Sequence, residues 1–231
     1  MARHLQKEIE RLKKKILALG AVVEENLRQA FAAIESRDAE AARHVILADA
    51  VVDENEVEVE EECLKILALY QPVAVDLRYI VAVIKINNDL ERIGDLGVNV
   101  AERAVQLTQT EPITVPAKLL AMAERVESML ERALDALVRS DPALARLVLA
   151  ADDEVDELYP LLIDELKAEI RAHLDRLDAL VLLFAVARYL ERLADHTTNI
   201  AEDVLYMTEG EITRHQTPAA LPTVEGDQIG G

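Results

Sequence analysis

The sequence predicts an all-α protein built as two tandem antiparallel three-helix bundles related by an internal repeat. Three observations predict it. The composition is helical: 51% of residues are apolar, yet there is no Trp, and there are only two Phe, seven Gly and seven Pro. Apolar residues recur at helical spacing between prolines and capping residues, which divides the chain into six long segments. Finally, one phrase occurs twice. Glu91-Arg92-Ile93-Gly94-Asp95 with Asn99, Ala101 and Glu102 returns one hundred residues later as Glu191-Arg192-Leu193-Ala194-Asp195 with Asn199, Ala201 and Glu202. In a chain of 231 residues, two copies imply two halves of about a hundred residues, each able to bury a core.

The first helix is expected from Arg3 to Ser36. Asp38 caps a second, whose apolar face carries Val45, Val52, Val59, Cys63 and Leu67 until Gln71-Pro72 stops it. A third runs from Asp76 to about Thr108. Glu111-Pro112-Ile113-Thr114-Val115-Pro116 holds two prolines in six residues and reads as the linker between halves. Pro116 opens the fourth helix, which ends near Arg139. Asp141 and Pro142 make an N-cap and first-turn pair for the fifth, to about His173. The sixth runs from Asp175 to Met207. Asp38, Asp49 and Asp53 correspond to Asp141, Asp152 and Asp156 at an offset of 103, so the three-residue change falls in the turn before the last helix of each half. The expected units are residues 1–110 and 116–208, followed by a flexible tail at 209–231. The pattern leaves open whether the bundles join end to end or side by side.

A net charge of −19 argues against a nucleic-acid partner, since phosphate binding needs clustered Lys and Arg. Cations and basic protein surfaces suit it better. The single cysteine, Cys63, sits at an apolar helical position and reads as a small buried hydrophobe in a reducing compartment. Met1-Ala2-Arg3-His4 leads into a charged amphipathic helix rather than a secretory signal. The longest apolar run, from Ala179 to Ala187, is nine residues, too short to cross a bilayer. The expectation is a cytoplasmic protein without membrane insertion, with peripheral attachment to the inner face of the membrane through partners compatible with it.

The repeated phrase sets a Glu and an Asp four apart on one side of a helix, where like charges repel by roughly 0.2–0.5 kcal/mol. At about 100° per residue, with Ile80 at zero, Glu91 falls near 20° and Asp95 near 60°, beside Ile84, Asn87 and Val98. Glu91 therefore stands within the apolar stripe. Leu180, Phe184, Ala187, Glu191, Asp195 and Thr198 repeat the arrangement. On the second helix Asp49 and Asp53 flank Val45 and Val52, and on the fifth Asp152 and Asp156 flank Val148 and Val155.

Partly burying several ionised carboxylates costs several kcal/mol per group unless something compensates, and proton uptake or an arginine could do so. Arg92 and Arg192 adjoin the acids in sequence but point about 100° away on the wheel. A bound cation is the remaining solution, because an Asp-x-x-x-Asp facing a Glu-x-x-x-Asp supplies four oxygen donors. Such sites suit Mg²⁺, Ca²⁺, Mn²⁺ or iron. The expected metal ligands are thus Asp49, Asp53, Glu91 and Asp95, and Asp152, Asp156, Glu191 and Asp195. Acid pairs at this spacing also occur on solvated helices, but four pairs placed equivalently along two apolar stripes favour metal.

Other residues carry weaker signals. His196 follows Asp195 but diverges from it around the helix, which points to a half-exposed polar role. His44 and His173 have no partner at ligand spacing. Asn99 and Asn199 stand one turn after Asp95 and Asp195, placed to bind the acids or to pack between helices. Pro160 frees the carbonyl of Asp156 from its helical bond, and Val57 takes its place in the first half.

At these residues the sequence resembles the PhoU family of phosphate-signalling regulators that accompany the bacterial high-affinity phosphate transporter. The carrying motifs are Gln71-Pro72-Val73-Ala74-Val75-Asp76-Leu77-Arg78, then Asp89-Leu90-Glu91-Arg92-Ile93-Gly94-Asp95 with Asn99-Val100-Ala101-Glu102, and Glu191-Arg192-Leu193-Ala194-Asp195-His196 with Asn199-Ile200-Ala201-Glu202. The resemblance implies two three-helix bundles with multinuclear metal clusters at the acidic motifs, the ion varying between iron, zinc and others. Carried over residue by residue, the family's ligands match the eight acids named above. It further implies a homodimeric negative regulator that couples the ATPase subunit of the phosphate ABC transporter to a sensor histidine kinase. The second half departs from the pattern: it lacks the Gln-Pro-x-Ala stretch and has Arg176-Leu177-Asp178 where Asp76-Leu77-Arg78 stands.

Three functions compete. A non-catalytic metal-binding adaptor leads. A carboxylate-bridged metalloenzyme of helical-bundle type would usually carry Glu-x-x-His, and residues three after Glu91 and Glu191 are Gly94 and Ala194. With no nucleophile and base pair in view, no enzyme activity is expected. The third reading is a structural helical dimeriser whose acids are solvated.

Overall fold

The computed structural model describes residues 2–210. The described chain consists of six long helices: α1 Ala2–Ser36, α2 Ala39–Tyr70, α3 Ala74–Leu107, α4 Ala117–Arg139, α5 Pro142–Ala172 and α6 Leu177–Glu209. The expected all-α pair of three-helix repeats is what forms. Of the tail expected at 209–231, Glu209 completes α6 and Gly210 caps it in the left-handed conformation at φ 79°. Residues 211–231 lie outside the described residues.

Local chemistry sets the boundaries. The Asp38 carboxylate accepts from the amides of Glu40 and Ala41, and the Asp141 carboxylate accepts from those of Ala143 and Leu144, so both halves start their middle helix with the same cap. Gln71, left-handed at φ 46°, and Pro72 end α2. Helix α6 begins at Leu177, two residues later than expected, because Leu174–Arg176 forms a tighter 3-10 turn. The Arg37 guanidinium donates to the carbonyls of Leu107, Thr110 and Glu111. One side chain thus ties the first turn to the frayed end of α3 and to the linker.

The bundles lie side by side, not end to end. A single apolar cluster runs through both, from Leu12, Ile16 and Leu27 through Ile86 and Ile93 to Val126, Leu130, Leu190 and Ile200. Helices α3 and α6 are central: each buries fifteen residues, against seven in α2 and six in α5. That difference places α3 and α6 against both their own bundle and each other. Lys85 Nζ lies 3.1 Å from Asp203 Oδ1, Asp89 meets His196 and Asn199, and Arg103 donates to the Tyr189 hydroxyl at 3.4 Å. As residue numbers climb along α3 they fall along α6, so the two run antiparallel. With counterparts one hundred residues apart, this register sets Gly94 and Ala194 level with a pseudo-twofold axis between the repeats. Helix α1 adds a second seam to α4, where a Cβ at Gly20 would come within 2.7 Å of Leu134 Cδ2. A side chain at 20 would have to displace the end of the Leu134 side chain.

Candidate metal centres

Helices α2 and α3 bring the first four acids together. A Cβ at Gly94 would meet Val52 Cγ1 at 3.1 Å and Asp49 Oδ1 at 3.6 Å. The Asp49 carboxylate therefore lies against α3 beside Gly94, one residue before Asp95. Burial first, then the charges of Asp53 and Asp95, push the Asp49 carboxyl above its ordinary range. Glu91 is also raised, by burial first and then by Asp95, with Glu56 and Asp53 adding to it and Arg92 opposing. Asp49 and Glu91 thus each feel acids on the facing helix.

The second tetrad repeats this on α5 and α6 with greater strain. The Asp152 carboxyl is pushed up to about 6, by burial first and then by Asp156, Asp195, Asp153 and Glu191. Glu191 is raised by burial, Asp195 and Asp156, against the pull of Arg188 and Arg192. Asp195 is raised by burial and Asp156, while His196 and Arg192 pull it down. All eight sequence-predicted acids therefore fall into two sets, one per repeat. Among the described residues, no three His, Cys, Asp or Glu side chains are already drawn in to metal-holding distance. The donor set is all carboxylate, which matches a hard or borderline ion, and a positive charge between these oxygens would relieve the penalty that now raises five of them.

Arg92 departs from expectation. Instead of pointing away, its guanidinium folds back to Glu91 Oε2 at 3.3 Å and Asp95 Oδ2 at 3.1 Å. The wheel fixes the direction of a Cβ, but the long arginine side chain reaches a residue three away on the helix surface. Asn99 and Asn199 also part company. Asn99 donates to the Asp95 backbone carbonyl at 2.8 Å, whereas Asn199 donates across the repeats to Asp89 Oδ1 at 3.2 Å. His196 Nδ1 lies 2.9 Å from that same oxygen, so its role is in the junction between repeats. His44 is exposed, His173 stands 3.9 Å from Glu169, and Pro160 lies on the open side of α5.

One acid beside the first tetrad was missed by the sequence pattern. Glu56, three residues after Asp53, accepts from Asn87 Nδ2 at 2.9 Å, and its carboxyl is raised by burial and by Glu60 and Asp53. The signal was Asn87 itself, an amide in the apolar stripe that requires a buried partner.

The family model of the PhoU domain matches residues 16–104 and again 119–204. The chain belongs to the PhoU family. Its two matches coincide with the two repeats and contain both tetrads. A phosphate-specific transport system accessory protein PhoU homolog of Aquifex aeolicus is 38% identical over 212 residues, covering 92% of this chain and 96% of that protein. A homolog from Caulobacter vibrioides is 35% identical, covering 91% and 92%. The crystal structure of PhoU from Pseudomonas aeruginosa superposes with a TM-score of 0.86 at 35% identity, covering 89% of this chain and 99% of that one. For the PhoU of Streptococcus pneumoniae, described as a phosphate transport system regulatory protein, the TM-score is 0.84 at 28% identity. The doubled three-helix PhoU architecture is therefore shared along nearly the whole described chain.

Proposed function

We propose that this PhoU-family chain is a non-catalytic, metal-binding adaptor of the phosphate-specific transport system. In this reading it couples the transporter's ATPase subunit to a sensor histidine kinase and holds the phosphate-starvation response and phosphate uptake down. It works in the cytoplasm as a homodimer, and no helix among the described residues is long and apolar enough to cross a membrane. The names of its relatives, accessory and regulatory proteins of phosphate transport, support the accessory role.

The observation that carries the metal reading is the pair of acid tetrads in which burial and neighbouring acids hold Asp49, Glu91, Asp152, Glu191 and Asp195 above the ordinary carboxylate range. Asp49, Asp53, Glu91 and Asp95 would hold one centre, and Asp152, Asp156, Glu191 and Asp195 the other. A cation there supplies the positive charge that lets four carboxylates share one seam. Iron, zinc, manganese, magnesium and calcium all suit oxygen donors to differing degrees. The test is elemental analysis of protein purified without chelators or an affinity metal, beside Glu91→Ala with Glu191→Ala. Metal that falls with the double substitution supports the reading; unchanged metal content and thermal stability return the acids to a solvated role. Pull-downs at high and low phosphate with the transporter ATPase and the kinase test the coupling, and failure with both counts against it.

A further inference from the structure

The outer face of α6 carries an apolar groove with a basic rim. Leu177, Val181, Phe184, Ala185, Arg188 and Arg192 fall within about 100° of one another around the helix. The cleft beside them, of about 460 Å³, is lined by Ile170 of α5, by Val181, Phe184, Ala185 and Tyr189, and by the two arginines. Phe184 and Tyr189 back onto the core. Val181 is 52% exposed, and Leu177 and Leu174 continue the apolar surface towards the start of the helix. Tyr189 is fixed as a wall, because Arg103 of α3 donates to its hydroxyl at 3.4 Å and to Gln106 at 2.7 Å. From Leu177 to Arg192 the stripe runs about 22 Å, the length of a short helix rather than of a small molecule.

At this rim the charge of the chain is reversed. Acids outnumber Lys and Arg by 44 to 25, and Arg28, Arg139 and Arg146 each close on one of them. Arg92, the sequence counterpart of Arg192, folds onto Glu91 and Asp95. Arg188 and Arg192 have Glu191 and Asp195 within a turn, and those acids feel them through space. Even so, the two make no hydrogen bond or ion pair among the described residues. Two guanidinium groups one turn, or about 6 Å, apart thus stand open beside an apolar strip. A wholly apolar occupant would desolvate them without compensation. An anionic lipid surface would meet the exposed Asp175 and Asp178 at the other end of the strip. The complement is an amphipathic helix with two acids one turn apart at one end of its apolar face.

We propose that the α6 groove receives such an acidic amphipathic helix of a partner protein, its apolar face on Val181, Phe184 and Ala185 and its carboxylates on Arg188 and Arg192. The proposal deepens the adaptor reading by naming a partner surface, and it rests on that reading only for the existence of a partner. Arginine holds a carboxylate by two parallel hydrogen bonds, so the rim sets the register of the helix as well as its affinity. A net charge of −19 repels acidic segments from most of the surface, which leaves this rim as a place of local attraction.

The test is fluorescence anisotropy of the full chain with a labelled helical peptide of about 16 residues, the length of the stripe, bearing leucines along one face and two glutamates one turn apart at its end. Versions with the glutamates at the N-terminal or the C-terminal end cover both directions, and glutamine versions serve as reference. Arg188→Gln with Arg192→Gln removes the rim charge, and Ala185→Gln fills the groove. Arg43→Gln with Arg132→Gln removes two exposed arginines elsewhere. A glutamate peptide is expected to bind in one direction and to weaken about tenfold in the rim pair and in Ala185→Gln, but less than about twofold in the control pair. Equal loss in the control pair, equal binding of the glutamine peptide, or a parent chain that binds neither would overturn the proposal. So would co-sedimentation with phosphatidylglycerol vesicles that falls with the rim pair, which would make the occupant a membrane. A dimer in ultracentrifugation that dissociates in the rim pair or in Ala185→Gln would make it a second copy, and that also overturns the proposal. Pull-downs that capture the transporter ATPase or the kinase while no peptide binds sink the groove alone. Peptide binding with failed pull-downs sinks the adaptor reading alone.

Discussion

Replacing Asp152 by asparagine should stabilise the metal-free protein at pH 7 and destabilise the metal-loaded one. Its carboxyl titrates near 6 rather than 3.8, because burial and the neighbouring acids Asp156, Asp195, Asp153 and Glu191 disfavour the charged form. At about 1.4 kcal/mol per pH unit, ionising it inside the fold costs about 3 kcal/mol. Solvent on its open side screens this to about 1–2 kcal/mol. Between pH 3.8 and about 6 the folded chain keeps a proton that the unfolded chain has released. Stability from this group is therefore full below 3.8, falls as pH rises through that window, and is gone by pH 7. Asparagine has nearly the same shape and no charge to desolvate, so Asp152→Asn removes the penalty.

For a chain of this length, 1–2 kcal/mol corresponds to a rise in melting temperature of about 2–8 °C. Calorimetric melts of chelator-treated and dialysed protein at pH 5, 6 and 7 would show the variant above the parent at pH 7, the gap closing towards pH 5. Adding Mn²⁺ should reverse the order, since the parent gains a ligand-bound state that the variant holds less well. A variant that melts below the parent at pH 7 without metal would refute the claim that this carboxylate is electrostatically frustrated. A variant that gains as much from Mn²⁺ as the parent would refute its role as a ligand.

Gly94→Ala should change stability by less than about 1 kcal/mol, because the helical gain of alanine over glycine offsets the small displacement of Val52, whereas Gly94→Val should cost about 1–3 kcal/mol by overpacking; urea melts distinguish the two. Lys85→Met removes the ammonium facing Asp203, which is 1% exposed. It should cost about 1–3 kcal/mol by the same assay, and adding Asp203→Asn should recover part of the loss. Cys63 is fully buried and its thiol is pushed up to about 12 by burial first and by Glu62 and Glu60. Iodoacetamide at pH 8 should leave it unmodified in the native chain and label it in urea, as read by intact mass.

The helices were legible because each is amphipathic and punctuated by chemistry with one meaning, such as the Asp38 and Asp141 caps and the Gln71-Pro72 stop. The relation between bundles was not. Helices α3 and α6 each serve two surfaces, and a single apolar stripe does not say which neighbour covers the rest of the circumference. Their extra burial is carried largely by small residues such as Ala82, Gly97, Ala101 and Ala201, which leave a weak mark on a helical wheel. The tetrads were legible because the same acids recur in two repeats beside apolar stripes. Arg92 was misjudged because a wheel records where a side chain starts and not how far it reaches. The meeting of Asp89 with His196 and Asn199 depends on how the repeats dock, and no spacing within either repeat encodes that.

Two tetrads that copy one another in sequence differ in what opposes a cation. At the first, Arg92 already supplies positive charge to Glu91 and Asp95, and an exposed ion pair of this kind is worth only about 0–1 kcal/mol. An incoming ion displaces it at little cost. At the second, Arg188 and Arg192 lower Glu191, and His196 and Arg192 lower Asp195, yet Asp152 is still pushed up to about 6, so an ion there must also compete with a proton. There the ion relieves the larger penalty at pH 7 but loses most on acidification. Ala194 in place of Gly94 also changes the surface on which the acids of the middle helix close, since a Cβ at 94 would press on Val52 Cγ1 at 3.1 Å and touch Asp49 Oδ1 at 3.6 Å. The repeats thus share a set of carboxylates and differ in proton competition and in shape, so on the proposed metal reading the two centres would depend differently on pH.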